Sequence, residues 1–374
     1  MYYYYFFSLV LTGGLLFSKD KIIFILYLGC IYFLWVLPDT GFDYGAYKLT
    51  YDNAYFKEQF PWFASRTYLT SEPLYIWYTS AIGVIFPFDF RFFLQFNFTL
   101  CGLILFSSSW SIKRNSAVFF WVAFLPVVIP TVFYFSPRSS ISFFLILAGF
   151  SSIVQDRRII GYLLCFLGIS IHSQYIPVTF FLIIISLLDD GKRFFSSQKS
   201  RNTYYKINVF LFLSLFFISM LFAGSLVSYF SAVLDVLPSG QVASNKLHYI
   251  EEAAEGYRIT SVLSIIIFPF LMYKIKSEKE KNNALTVIFK KQKHDIKFLN
   301  YLFLIIIFGA LLNIIFFNTP HVAGRLSRFS DYLGIGLVVP SYFIYFYGRN
   351  SAILVLFLFA LMAPILYPTL YVAA

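Results

Sequence analysis

Of the 374 residues, 59% are hydrophobic and 13% are charged, with a net charge of +11, whereas a soluble domain carries roughly a quarter charged residues. This excludes a soluble globular protein, and at about 20 apolar residues per crossing the chain has room for about eleven or twelve helices in one integral membrane domain. The positive excess lies in loops, where it marks topology instead of a nucleic-acid partner.

In chain order, apolar runs predict helices near 2–18, 21–38, 73–88, 92–110, 116–135, 139–154, 159–171, 175–188, 207–229, 259–273, 298–317, 331–347 and 351–371. The first run has no basic segment before it, so it is expected to remain as a helix and not to be removed as a signal peptide. Cys30, Cys101 and Cys165 all lie inside apolar runs and show no disulfide or metal-binding spacing. Two loops are strongly basic: 189–206 holds five Lys or Arg against two aspartates, and 274–297 holds eight lysines. With Lys19/Lys21, Lys113/Arg114, Arg157/Arg158 and Arg349, they are expected on the cytoplasmic side.

The charge rule fails to close upstream of Lys113 if both runs between 72 and 110 cross. The run opening at Glu72-Pro73 is short, ends at Pro87 and contains Gly83, so it is expected to be a re-entrant or tilted half-helix near 72–88. Irregular backbone at that depth requires a cavity around it. The alternative is a simple exception to the charge rule at Lys113/Arg114. On the re-entrant reading the fold is all-α and polytopic, with about twelve crossings. The outer face then receives loops 39–71, 230–258 and 318–330, together with Pro137-Arg138 and His172-Ser173.

The outer face collects the unusual polar residues. Asp39 and Asp43 follow Pro38 in a glycine-containing turn; Asp43 is either a turn aspartate bonded to its own backbone or an available carboxylate. Glu72 precedes a proline at a helix start, where it either caps the helix or lines the mouth of the re-entrant segment. Arg138 follows Pro137 on the side where arginines are disfavoured, and either snorkels to headgroups or grips an anion with its planar fork. His172 closes one apolar run just before the next and can orient, donate or accept a proton. Arg325 and Arg328 stand three apart, as do Arg328 and Asp331. They form either a diphosphate clamp on one helical face or, in part, an internal Arg328–Asp331 pair. The stretch 245–256, with Glu251, Glu252 and Glu255, reads as an amphipathic segment, either a lid or a solvated surface helix.

The sequence contains no phosphate-binding glycine loop of the ATPase kind, which excludes ATP-driven transport by this chain. It has no zinc-type cluster either, since Asp189-Asp190 is only a dipeptide. Asn97-Phe98-Thr99 matches a glycosylation acceptor only in form, because it lies inside an apolar run. Outward carboxylates, a histidine and three arginines suit glycosyl transfer from a lipid-linked diphosphate. A carboxylate or histidine takes the proton of the attacking hydroxyl, and arginines stabilise the departing diphosphate without a metal or other cofactor.

The ordered set Gly41-Phe42-Asp43-Tyr44-Gly45-Ala46-Tyr47, Glu72-Pro73-Leu74-Tyr75, Arg138 heading a small-residue helix, and His172-Ser173 resembles the EpsG-like branch of the Wzy-type polysaccharide polymerases. The resemblance covers residues 1–190 in order and rests afterwards on Arg325, Arg328 and the following Phe-Ser-Asp-Tyr332. Phe42 stands where the family often has threonine, and Ser139 where it commonly has glutamine. The resemblance implies a GT-C-like helical bundle in the bacterial inner membrane, with its site facing outward. There it would polymerise undecaprenyl-diphosphate-linked repeat units into O-antigen or a related polysaccharide. By the same analogy Arg138, Arg325 and Arg328 hold diphosphate, while Glu72, His172 or Asp43 serves as base, with Glu72 first. Tyr44, Tyr47 and Tyr75 would contact sugar rings, the alternative for the loop tyrosines being anchorage at the membrane interface, and a flippase and a chain-length regulator are the implied partners. The rival functions are a lipid-linked oligosaccharide flippase, which would require repeats in its two halves, and an O-antigen ligase, which would share the donor.

Overall fold

The structure is a computed structural model, and it describes residues 45, 47–48, 51–52, 73–85, 89–108, 136–188, 262–281, 292–316 and 320–348. Every element among them is helical: α1 Pro73–Ile85, α2 Phe90–Ser108, α3 Pro137–Val154, α4 Arg158–Ile171, α5 Ile176–Leu188, α6 Phe268–Lys281, α7 Gln292–Ile315, α8 Pro320–Leu326, α9 Arg328–Leu333 and α10 Val339–Tyr347. Two π-helical segments join this series, Leu263–Ile267 leading into α6 and Gly334–Val338 between α9 and α10. The expected runs 2–18, 21–38, 116–135, 207–229 and 351–371 lie outside the described residues, as does the 245–256 segment.

Two of the helices, Pro137–Val154 and Lys297–Ile315, are long and apolar enough to cross a membrane, and shorter apolar helices accompany them. Helix α1 has 13 residues, a length of about 20 Å against a hydrocarbon layer of about 30 Å. Gly83 does not interrupt it: the residue is buried within the unbroken helix. The expected break fails here because an isolated glycine lowers helix propensity by only about 1 kcal/mol, which packing readily offsets. Segments expected as loops also prove helical. Pro320–Leu326 occupies most of 318–330, and α6 and α7 extend into the basic stretch 274–297 as far as Lys281 and from Gln292. Lysine and glutamate are good helix formers, so apolarity alone understates where those helices end.

The described residues divide between two compact units. One contains those up to Ser173 together with 277–281, 292–296 and 335–348; the other contains 174–188, 262–276, 297–316 and 320–334. In the first, α3 and α4 form an antiparallel hairpin, with α2 packed on α3 and α1 on α4. Helix α3 begins where Ser136 takes an extended conformation and accepts the Ser139 N–H, with Pro137 at the first helical position. It ends in a left-handed turn at Asp156, φ 65°. The Asp156 N–H reaches Ile153 O at 3.1 Å and the Arg157 N–H reaches Ser152 O at 2.9 Å, the paired bonds of a Schellman cap.

The hairpin is close because its seam is made of small residues. A Cβ on Gly149 would come within 2.6 Å of Cys165 Sγ and 2.8 Å of the Gly161 carbonyl, and one on Gly161 within 2.9 Å of the Gly149 carbonyl. Two turns along, Ser142 Oγ donates to the Gly168 carbonyl at 2.6 Å. The bulky residues of α4 face outward instead: Ile159 is 78% exposed and Phe166 62%, with Ile160, Leu163 and Leu167 beside them. Small residues inside and large apolar ones outside invert the arrangement of a soluble protein, and this is how helices pack when lipid surrounds them.

In the second unit, Phe181 of α5 stacks on Phe308 of α7 at 4.3 Å. Leu312 and Phe316 of α7 pack with Ala323 of α8, and Phe308, Val322 and Leu326 extend the cluster. Gly309 of α7 lies against Ser330 of α9, and Gly334 against the Phe268 ring; a Cβ at either glycine would collide with its neighbour.

Candidate functional site

The sequence places Arg138 at the second position of α3, and the structure builds an aromatic seat for it. Its guanidinium carbon lies 5.5 Å from the centre of the Tyr47 ring, within the range of a cation–π contact. Tyr47 is itself fixed at both ends. Its hydroxyl lies 2.9 Å from Ser136 Oγ, the cap of α3, and its ring meets Tyr75 edge-on at 5.9 Å. Tyr75, from α1, is fully buried and lies within electrostatic reach of Arg138. Three residues singled out from sequence, Tyr47, Tyr75 and Arg138, thus come together from three separate segments. The two tyrosines are too enclosed to offer their ring faces to a sugar: Tyr47 is 8% exposed and Tyr75 1%. In this structure they shape and hold the arginine.

Further contacts tie Tyr51 and α1 to α2. Tyr51 lies 5.2 Å from Phe93 and 5.7 Å from Phe90 of α2. The Tyr78 hydroxyl of α1 donates to Asn97 Oδ1 of α2. Asn97 is completely buried, in keeping with its place in an apolar run and not on a glycosylated surface. A cation at a helix N-terminus opposes the helix dipole, while the same end favours an anion. A guanidinium held there is therefore well placed to receive a phosphate oxygen.

His172 follows α4 as its cap, with its N–H on the Gly168 carbonyl at 3.0 Å, and its side chain is half-buried. The register set by Gly149 opposite Gly161 and Ser142 opposite Gly168, continued one further turn, brings His172 level with Arg138 at the open end of the hairpin. These two residues therefore share one end of the first unit.

Arg325 and Arg328 belong to the second unit, both half-buried. They do not lie on one continuous helix as the sequence suggests: Arg325 is in the last turn of α8 and Arg328 opens α9, with Ser327 between them at φ −83°, ψ −7°. Asp331 is bonded to the residue at this break. Its carboxylate accepts Ser327 Oγ at 2.7 Å on one oxygen and Ser264 Oγ on the other. Sequence reasoning weighed Asp331 only as a partner for Arg328 and missed the two serines. Ser327, four residues before Asp331, carries a local signal for such a bond, whereas Ser264 carries none. Asp43, Tyr44 and Glu72 lie outside the described residues.

No curated protein and no solved structure matches the chain. The EpsG family model does, over residues 21–374, which extends well past the stretch carrying the short motifs. Together with the apolar helices, this match makes the chain a membrane protein with a polysaccharide-polymerase role of the glycosyltransferase type. The chain belongs to the EpsG family.

Proposed function

We propose that the chain joins undecaprenyl-diphosphate-linked oligosaccharide repeat units into O-antigen or a related surface polysaccharide, on the outer face of the bacterial cytoplasmic membrane. The observation that carries this reading is the Arg138 seat. A guanidinium lies on Tyr47 at the N-terminal end of α3, with His172 at the same end of the hairpin. The donor diphosphate is the leaving group, and Arg138, Arg325 and Arg328 are its ligands, each able to donate two hydrogen bonds to phosphate oxygens without a metal. A base removes the proton from the acceptor hydroxyl as that oxygen attacks the anomeric carbon and the C–O bond to diphosphate breaks. Glu72 takes that role, with His172 and Asp43 as the other candidates. The working partners are the flippase that delivers the lipid-linked unit and a chain-length regulator.

The test is a deletion strain complemented with wild type, Glu72→Gln and Arg138→Ala, with surface glycan resolved on a gel. Deletion is expected to collapse the ladder to single repeat units on the lipid acceptor, and neither variant is expected to restore it despite normal membrane insertion. Loss of every repeat unit would point instead to a flippase or ligase. A full ladder from both variants would overturn the site assignment.

A further inference from the structure

Asp331 is 8% exposed, and a buried carboxylate in an apolar chain is costly unless hydrogen-bonded. Its two oxygens are divided between two elements, Ser327 at the junction of α8 and α9 and Ser264 in the π segment Leu263–Ile267. Ser327 is the residue immediately before Arg328 and two after Arg325. The junction is held on every side. The Ser327 N–H bonds Ala323 O at 2.9 Å, and its carbonyl accepts the Asp331 N–H at 3.0 Å and Ser330 Oγ at 2.6 Å. Ser330 in turn fills the space above Gly309. The break between the two arginine-bearing helices is thus tied to a third element through one carboxylate.

We propose that Asp331 is the positioning residue of the Arg325–Arg328 pair: by holding Ser327 it fixes the spacing of the two arginines for a diphosphate ester of a lipid. The inference rests on reading those arginines as diphosphate ligands. A diphosphate engages both guanidinium groups at once and gains from their fixed separation, while a monophosphate engages one and gains nothing from it. Without the carboxylate the junction keeps its local backbone bonds but loses its tie to the Leu263–Ile267 segment, so the angle between the two helices is less constrained and the loss falls on the two-point ligand.

The test uses the full-length chain in lipid nanodiscs, with farnesyl diphosphate and farnesyl monophosphate as probes. Asp331→Asn and Ser327→Ala are each expected to weaken diphosphate binding about tenfold, while monophosphate binding changes less than about twofold. In an Arg325→Ala background, adding Asp331→Asn is expected to change diphosphate affinity by less than about twofold, because the geometry it protects is already lost. If Asp331→Asn does not fold, Ser327→Ala, which removes a single hydroxyl, carries the test. Equal weakening of both probes, an undiminished effect of Asp331→Asn in the Arg325→Ala background, or unchanged affinity in both variants overturns the positioning role. Wild-type diphosphate affinity in Arg325→Ala and Arg328→Ala overturns the diphosphate reading, and the proposal with it.

Discussion

Replacing Gly149 with alanine tests the packing that places Arg138 and His172 at one end of the first unit. The new methyl would lie 2.6 Å from Cys165 Sγ and 2.8 Å from the Gly161 carbonyl. The second contact falls roughly 0.6 Å short of ordinary van der Waals separation. The thiol can rotate away but the carbonyl is backbone, so α4 itself must retreat from α3. That retreat lengthens the 2.6 Å Ser142–Gly168 bond two turns away and loosens contacts along the whole seam. Overpacking of this kind costs about 1–3 kcal/mol. Reversible unfolding in mixed micelles, followed by helical ellipticity, is expected to show a loss in that range for Gly149→Ala. Adding Cys165→Ala should recover only part of it, since the carbonyl contact persists. Wild-type stability in Gly149→Ala, or complete rescue by Cys165→Ala, would refute the close backbone approach.

Tyr47→Phe keeps the ring under Arg138 and deletes one hydrogen bond, so it is expected to cost about 1 kcal/mol of stability; Tyr47→Leu also removes the cation–π contact and should lower polymer yield further, measured by ladder length in the complemented strain. Arg138→Lys retains the charge but loses the planar fork, so it is expected to give a ladder much weaker than wild type, read on the same gels, and a normal ladder would show that charge alone suffices. Asp156→Gly removes the left-handed backbone penalty at the end of α3, so unfolding titrations should show stability unchanged or raised by up to about 1 kcal/mol.

The helical runs were legible because apolar length is a one-dimensional property: the described parts of eight expected runs are helical apart from Phe316 at the end of one. Arg138 was likewise legible at the head of a helix, directly after Pro137. What the sequence obscured depended on contacts between distant segments. Gly83 looked like a break because its helix-supporting packing is tertiary. Tyr47 and Tyr75 looked like sugar platforms because aromatic residues in an outer region give no sign of which are buried. Gly149 of α3 and the pair Gly161 and Gly168, seven apart on α4, lay in plain view, yet the facing register is visible only once the hairpin closes. Ser264 was hidden because 67 residues separate it from Asp331.

The π segment before α6 has a consequence for how this region tolerates change in length. Its signature bond runs from the Phe268 N–H back to the Leu263 carbonyl, enclosing one residue more than an α-helical turn. Across it, Ser264 and Phe268, four apart, meet Asp331 and Gly334, three apart. The two helices therefore engage like the unequal scales of a vernier. Deleting one residue within 263–267 would turn the segment into an ordinary α-helical turn and offset Ser264 from Phe268 by one division of the scale. The helix would remain intact, but the serine and the phenylalanine could no longer both find their partners.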